Sequence, residues 1–268
     1  MRKEEMTYHV GWAPRHGFSS IAQPGDGGLK HLGFGLLRLD KGDKHALPPS
    51  AHETALVLLG GTAAVSGPGL ERRVIGPRKD LFSDRPWTVF LPSQQGGDIE
   101  ALDDAEIAIC QAPSEQGGAA CVIPPEQVKE VSLGKTNWTR RALMMLDENT
   151  PAEYLFIGEA IVPSGNWASF PPHRHERDDL PHEVEMEEIY HFRFDRPKGF
   201  GIQKFYTDDR SIDETITLRD TETVLLPRGY LPVVTAPGYS MYYLWIMAGK
   251  NRRFLSNIDP DHRWILTA

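Results

Sequence analysis

Short apolar runs cut by glycine, proline and polar turns recur through nearly the whole chain, while helical 3.6-residue periodicity is scarce. The turn signals return at roughly every 8–12 residues. Residues 53–59 (ETALVLL), 87–91 (WTVFL), 106–111 (EIAICQ), 154–162 (YLFIGEAIV), 201–207 (GIQKFYT) and 241–247 (MYYLWIM) are the clearest runs. Together they predict an all-β barrel or sandwich. The 25 glycines and 21 prolines suit many short strands joined by turns. A chain of 268 residues with 40% hydrophobic content can fill one large core or two small ones.

The runs fall into two sets. Residues 1–150 are expected to form a first barrel with a connector, and residues 151–268 a second barrel. Within the first part, residues 1–30 read as an arm or loop with one short strand, and residues 39–47 (LDKGDKHAL) as a turn region. In the connector, residues 113–150, the pair Pro124-Pro125 starts a short helix at Glu126. VLLPRGY lies alongside VFLPSQQGG, and FIGEAIVPSG alongside FGLLRLDKG, as in two copies of one unit.

Residues 171–190 (PPHRHERDDLPHEVEMEEIY) concentrate the chemistry. His173 and His175 are two apart, so in an extended strand both imidazoles face the same side. Glu187 and Glu188 open the next apolar run, from which a carboxylate can reach back across a hairpin. Two neutral nitrogens and one anionic oxygen suit a divalent metal: zinc or manganese first, then iron or nickel. The spacing of His45 and His52 does not put both on one strand face, so the first half reads as a structural copy.

Composition excludes other classes. A net charge of -8 and a pI near 5.7, without a long Lys/Arg run, argue against a nucleic-acid partner. No apolar run is long enough to span a membrane. The start, MRKEEMTYHV, has no apolar signal core, and Cys110 and Cys121 read as reduced thiols, so a cytoplasmic location is expected.

Several stretches carry a family resemblance: GNWASFPPHRHE, EEIYHFRF, GFGIQKFYTDDRSIDET, VLLPRGYLPV, PGYSMYYLWIMAG and DPDHRWI, with ETALVLLGGTAAV and AICQAP in the first half. The chain resembles the 5-deoxy-glucuronate isomerase family of inositol catabolism, related to the 4-deoxy-uronate ketol-isomerases. The resemblance covers nearly the whole chain. It implies a bicupin, two cupin-type barrels with few short helices, and a metal in the second barrel. The implied ligands are His173, His175 and Glu188, with Glu187 as the alternative because a one-residue slip reverses a strand's faces. The family's fourth ligand, a histidine in Gly-Tyr-His-Pro, is replaced here in Gly229-Tyr230-Leu231-Pro232. Leu244-Trp245 likewise stands where the family has Leu-Asn. His182, His191 and His262 are the candidates for a relocated ligand.

The resemblance further implies an aldose–ketose isomerase acting on a small sugar acid, 5-deoxy-glucuronate, and giving 5-dehydro-2-deoxy-gluconate through an enediol. Gln203 and Tyr243 are expected to touch the substrate, and Lys204 or Arg193 to hold its carboxylate. The turn from Asp208 to Glu214 is expected to cap, pair or meet another subunit rather than react. Cupin barrels pair through edge strands, so a homo-oligomer, dimer or higher, is expected. The alternatives are a diverged bicupin that binds a sugar acid without catalysis, Leu231 having replaced a ligand, and a metal-dependent cupin of another reaction type, such as a dioxygenase.

Overall fold

A computed structural model describes residues 7–116 and 118–268; the residues 1–6 that enter the export reading lie outside it. Two extended sheets pack face to face, and each continues into a barrel on its far side. In the first, the order is Cys121–Ile123, Thr88–Leu91, His52–Gly67, Ala105–Pro113, Gly33–Leu39 and Gly17–Ala22. In the second, it is His9–Val10, Thr223–Leu226, Glu187–Phe194, Met241–Ala248, Leu155–Val162, Arg140–Leu146 and Lys129–Leu133. Five successive strands of each half therefore occupy matching places, Arg140–Leu146 taking the place of Gly17–Ala22. The second sheet thus draws on strands that precede residue 150.

Burial explains why the central strands are continuously apolar instead of alternating with polar residues. Both of their faces are covered. In Met241–Ala248, Tyr242, Leu244, Ile246 and Ala248 face the other sheet, while Met241, Tyr243, Trp245 and Met247 face the second barrel's interior. In ETALVLL, Ala55, Val57 and Leu59 face between the sheets, and Leu56 and Leu58 face the first barrel. That first barrel is filled by aliphatic side chains such as Leu37, Val65, Val89, Ile99 and Ile107. The second barrel is closed by the sheet Trp167–Ala168, Val233–Thr235, Phe200–Tyr206 and Asp213–Arg219.

Three local expectations need correction. Residues 39–47 are more than a turn: Lys44–Leu47 is a strand paired with Gly97–Ala101. Its alternation of exposed and half-buried residues marks an edge that a charged sequence disguises. Residues 113–150 are more than a connector: they hold three strands, together with the expected short helix, a 3-10 helix at Pro125–Gln127. The arm carries two strands, His9–Val10 and Gly17–Ala22; His9–Val10 crosses over to pair with Thr223–Leu226 of the second sheet.

The two halves are tied by one device used twice. Glu187 accepts hydrogen bonds from the backbone N–H groups of Lys30, His31 and Leu32, at 2.6, 2.7 and 2.7 Å. Glu53, at the matching place in the first sheet, accepts from those of Glu153, Tyr154 and Leu155, at 2.7, 2.8 and 2.7 Å. Each carboxylate thereby anchors the start of a strand in the opposite half. Glu187→Ala is expected to lower stability by about 3 kcal/mol or more, since it strands several partly or fully buried donors. Glu188→Ala, one residue along, removes a buried carboxylate and is expected to leave metal-free stability equal or higher. Equal losses for the two variants in denaturant unfolding would overturn this assignment of faces.

Candidate metal and substrate site

In the strand Glu187–Phe194, Glu188 and Tyr190 point into the second barrel, opposite to Glu187. This settles the parity that the sequence left open. His173 and His175 reach the same place from a short segment in which His173–Arg174 pairs with Asn257–Ile258. Arg174, between the histidines, is buried on the opposite side. Its guanidinium meets Glu183 at 3.2 Å, forms an ion pair with Asp208, and lies over the Tyr230 ring, 5.2 Å from its centroid. Tyr230 donates to Asp208 at 2.9 Å, and Glu183 accepts from the Glu176 backbone and from Asn257. The charge-rich turn after Thr207 thus fixes the backbone that carries the two histidines.

His173, His175, Glu188, Tyr190 and Tyr243 line one cavity, with Ser169, Arg140, Trp245, Met247 and Phe254 among its other walls. Each histidine has its Nδ1 against a carbonyl: Pro171 at 3.0 Å for His173, Leu255 at 2.8 Å for His175. A carbonyl only accepts, so both Nδ1 atoms carry the proton and both Nε2 lone pairs are left free. Burial holds the imidazoles neutral, pulling His173 down to about 3 and His175 to about 4. Burial pushes the Glu188 carboxyl up to about 8, and its Oε2 is buried without a hydrogen-bond partner. Two neutral imidazoles beside a carboxyl with one unpartnered oxygen form a donor set suited to a divalent cation. Among the described residues, the three donor atoms do not all lie within 4.8 Å of one another, so an ion would draw the side chains inward.

Ser169 Oγ lies 2.8 Å from the Tyr190 hydroxyl and 3.5 Å from that of Tyr243. Burial pushes both phenols above their ordinary range, so they remain hydrogen-bond donors at neutral pH. The cavity itself is about 30 Å3, room for roughly one water. Trp245 narrows it, stacked on Phe156 at 5.7 Å, with Phe254 6.1 Å from the same Phe156 ring. Gly158 makes space for that indole: a Cβ there would lie 2.1 Å from Trp245 Cζ2. A sugar acid can enter only by displacing lining side chains, and Phe254, 48% exposed, is the most open of them.

Other expected site residues lie elsewhere. Gln203 is buried, but its Nε2 donates to the carbonyls of Leu231 and Pro232, and it does not line the cavity. Lys204 is paired with Asp213, and Arg193 with Glu106 at 2.6 Å and Asp220 at 3.3 Å. Leu231 packs in the apolar cluster that contains Tyr190, Phe192 and Tyr243. None of His182, His191 and His262 lines the cavity; His191 faces the other sheet, packed on Phe34 and bonded to Thr223. Tyr190 was missed although strand alternation from Glu188 points to it. Arg140 had no local signal, because it belongs to a strand far from the His-x-His motif in sequence.

Residues 6–265 match the KduI/IolB family model. The chain is 42% identical over 241 residues to a 5-deoxy-glucuronate isomerase of Geobacillus kaustophilus (strain HTA426), covering 89% of this chain and 87% of that one. It is 35% identical over 240 residues to a 5-deoxy-glucuronate isomerase of Bacillus subtilis (strain 168), covering 89% of each. Among solved structures, an IolB-like protein from Salmonella typhimurium LT2 superposes with a TM-score of 0.91 at 29% identity, covering 97% of this chain and 99% of that one. The oxalate decarboxylase of Lactobacillus farciminis gives a TM-score of 0.67 at 10% identity, covering 98% and 90%, a likeness of fold alone. The all-β bicupin architecture expected from the sequence is the one observed.

Proposed function

The chain belongs to the KduI/IolB family, and from that premise we infer that it is an aldose–ketose isomerase converting 5-deoxy-glucuronate to 5-dehydro-2-deoxy-gluconate. The observation that carries this reading is the meeting of His173, His175, Glu188 and Tyr243 in one buried cavity of a chain matched to the family almost end to end. His173, His175 and Glu188 would hold a divalent metal, zinc or manganese first, through the two Nε2 atoms and the carboxylate. Such an ion supplies Lewis acidity, polarising the carbonyl and stabilising negative charge on neighbouring oxygens.

The chain's own groups do the rest. The protonated Tyr190 and Tyr243 hydroxyls, linked by Ser169, are placed to donate to substrate oxygens as charge grows on them through the enediol. Trp245, Met247 and Phe254 give the cavity an apolar wall, and the low local dielectric strengthens those hydrogen bonds. Purified protein supplied with zinc or manganese is expected to convert the aldose, and chelation to abolish the conversion reversibly. Full activity after exhaustive metal removal would overturn the metal-dependent reading.

A second reading is favoured by Leu231, only 3% exposed in an apolar cluster, and by the small cavity. A site short of one imidazole could bind a sugar acid without turning it over. Binding without conversion in the metal-loaded protein would establish that reading instead.

A further inference from the structure

Every polar member of the cavity lining has a use in the reading above except Arg140. It opens the strand Arg140–Leu146 and enters the cavity from the sheet, opposite the short segment that carries the histidines. It is the one permanent cation among the lining residues. Its Nη1 is buried and has no hydrogen-bond partner. Among the described residues, no carboxylate comes within 4.0 Å of its side-chain nitrogens, although the chain has many ion pairs elsewhere. A buried guanidinium nitrogen facing a cavity with nothing to donate to is costly, and in a native protein such a group calls for a partner from outside the chain. Glu188, the only carboxylate of the lining, feels the Arg140 charge but forms no ion pair with it within 4.0 Å, and it is the residue expected at the metal.

We propose that Arg140 anchors the carboxylate of the sugar-acid substrate, holding the acid end of the molecule while its carbonyl end lies at His173, His175 and Glu188. This rests on the isomerase reading for the identity of the substrate, though not for the chemistry of recognition. A guanidinium offers parallel N–H groups to the two oxygens of a carboxylate, so it fixes orientation as well as charge. With Lys204 and Arg193 already paired to carboxylates of the chain and away from the cavity, Arg140 is the cation of the lining placed to do this. Orientation decides which carbon loses its proton, because the carbonyl end is then presented to the same groups in every turnover.

Binding of D-glucuronate and of D-glucose to the metal-loaded protein, followed by calorimetry, separates the acid-recognition step from turnover. The wild type is expected to prefer the acid by about 10–100-fold, the range of a hydrogen-bonded charge pair. Arg140→Ala should abolish the preference and Arg140→Lys should retain part of it. In the isomerase assay, Arg140→Ala should lower kcat/KM by a similar factor. Among the described residues the Arg140 side chain makes no hydrogen bond, and alanine keeps its backbone pairing with Leu133, so the variant is expected to melt with the wild type; melting curves check this. A wild type without preference for the acid, or an Arg140→Ala protein that keeps the preference, would overturn the assignment. A wild type that prefers the acid but converts none of the aldose would overturn the isomerase reading and leave Arg140 as the anchor of a binding protein.

Discussion

Replacing Glu159 with alanine is expected to lower stability by about 3–5 kcal/mol, the usual cost of leaving one member of a buried ion pair alone. For a chain of this size that corresponds to a fall in Tm on the order of 10 °C. Arg78 and Glu159 are both fully buried and joined by two hydrogen bonds of 2.7 Å. Arg78 comes from a strand of the first half and Glu159 from a strand of the second, so the pair lies between the two sheets. Arg78 also donates to the Leu58 carbonyl at 2.8 Å, and Tyr242 donates to Glu159 at 2.7 Å. Arg78 and Tyr242 both lose a partner when the carboxylate goes. Glu159→Gln, which keeps the shape and can still accept from Tyr242, should lose less. The joint replacement Arg78→Met with Glu159→Leu should recover much of the loss, since it removes both charges together. Thermal unfolding followed by circular dichroism reads all three. A loss below about 1 kcal/mol for Glu159→Ala, the scale of an exposed pair, would show that water reaches the cluster.

Replacing His173 with alanine is expected to empty the metal site and abolish conversion. Changing a residue that merely supports a metal ligand costs about 10–100-fold in affinity or activity, and losing the ligand itself should cost at least that. The effect should be large here because Leu231 packs as an apolar side chain and supplies no fourth donor. With three ligands, removal of one leaves two. Elemental analysis of the purified wild type should find close to one zinc, manganese, iron or nickel per chain, and none in the variant. Circular dichroism should show the fold unchanged, because the His173 ring bonds only to the nearby Pro171 carbonyl. Metal retained in full by His173→Ala would mean that the ion is held elsewhere. The trio His16, Asp40 and Asp43, whose donor atoms lie within 4.8 Å of one another, is then the place to look.

The sequence alone determined everything that local periodicity can carry. Alternation and turn residues act over a few positions, so they established the all-β class and the repeat, and they put His173 and His175 on one side of the chain. The same alternation, counted on from Glu188, reaches Tyr190. Parity is where local information stopped. Whether Glu187 or Glu188 turns inward depends on the register of that strand against Met241–Ala248, which the sheet sets and the dipeptide does not. Residues 113–150 escaped recognition because Cys121–Ile123 and Lys129–Leu133 are short edge strands, and because charged residues such as Lys129, Glu130, Arg140 and Arg141 interrupt the apolar pattern of the last two strands.

Only the tertiary structure decided which distant residues meet. It joined Arg78 to Glu159 across 81 positions, spent Gln203 on the carbonyls of Leu231 and Pro232, and paired Lys204 and Arg193 with acids of the chain. It also brought Arg140 into the histidine cavity without an ion-pair partner. The physical reason is common to all four. Whether a polar or charged group is satisfied depends on what the fold places within about 3 Å of it, and spacing along the chain carries no record of that.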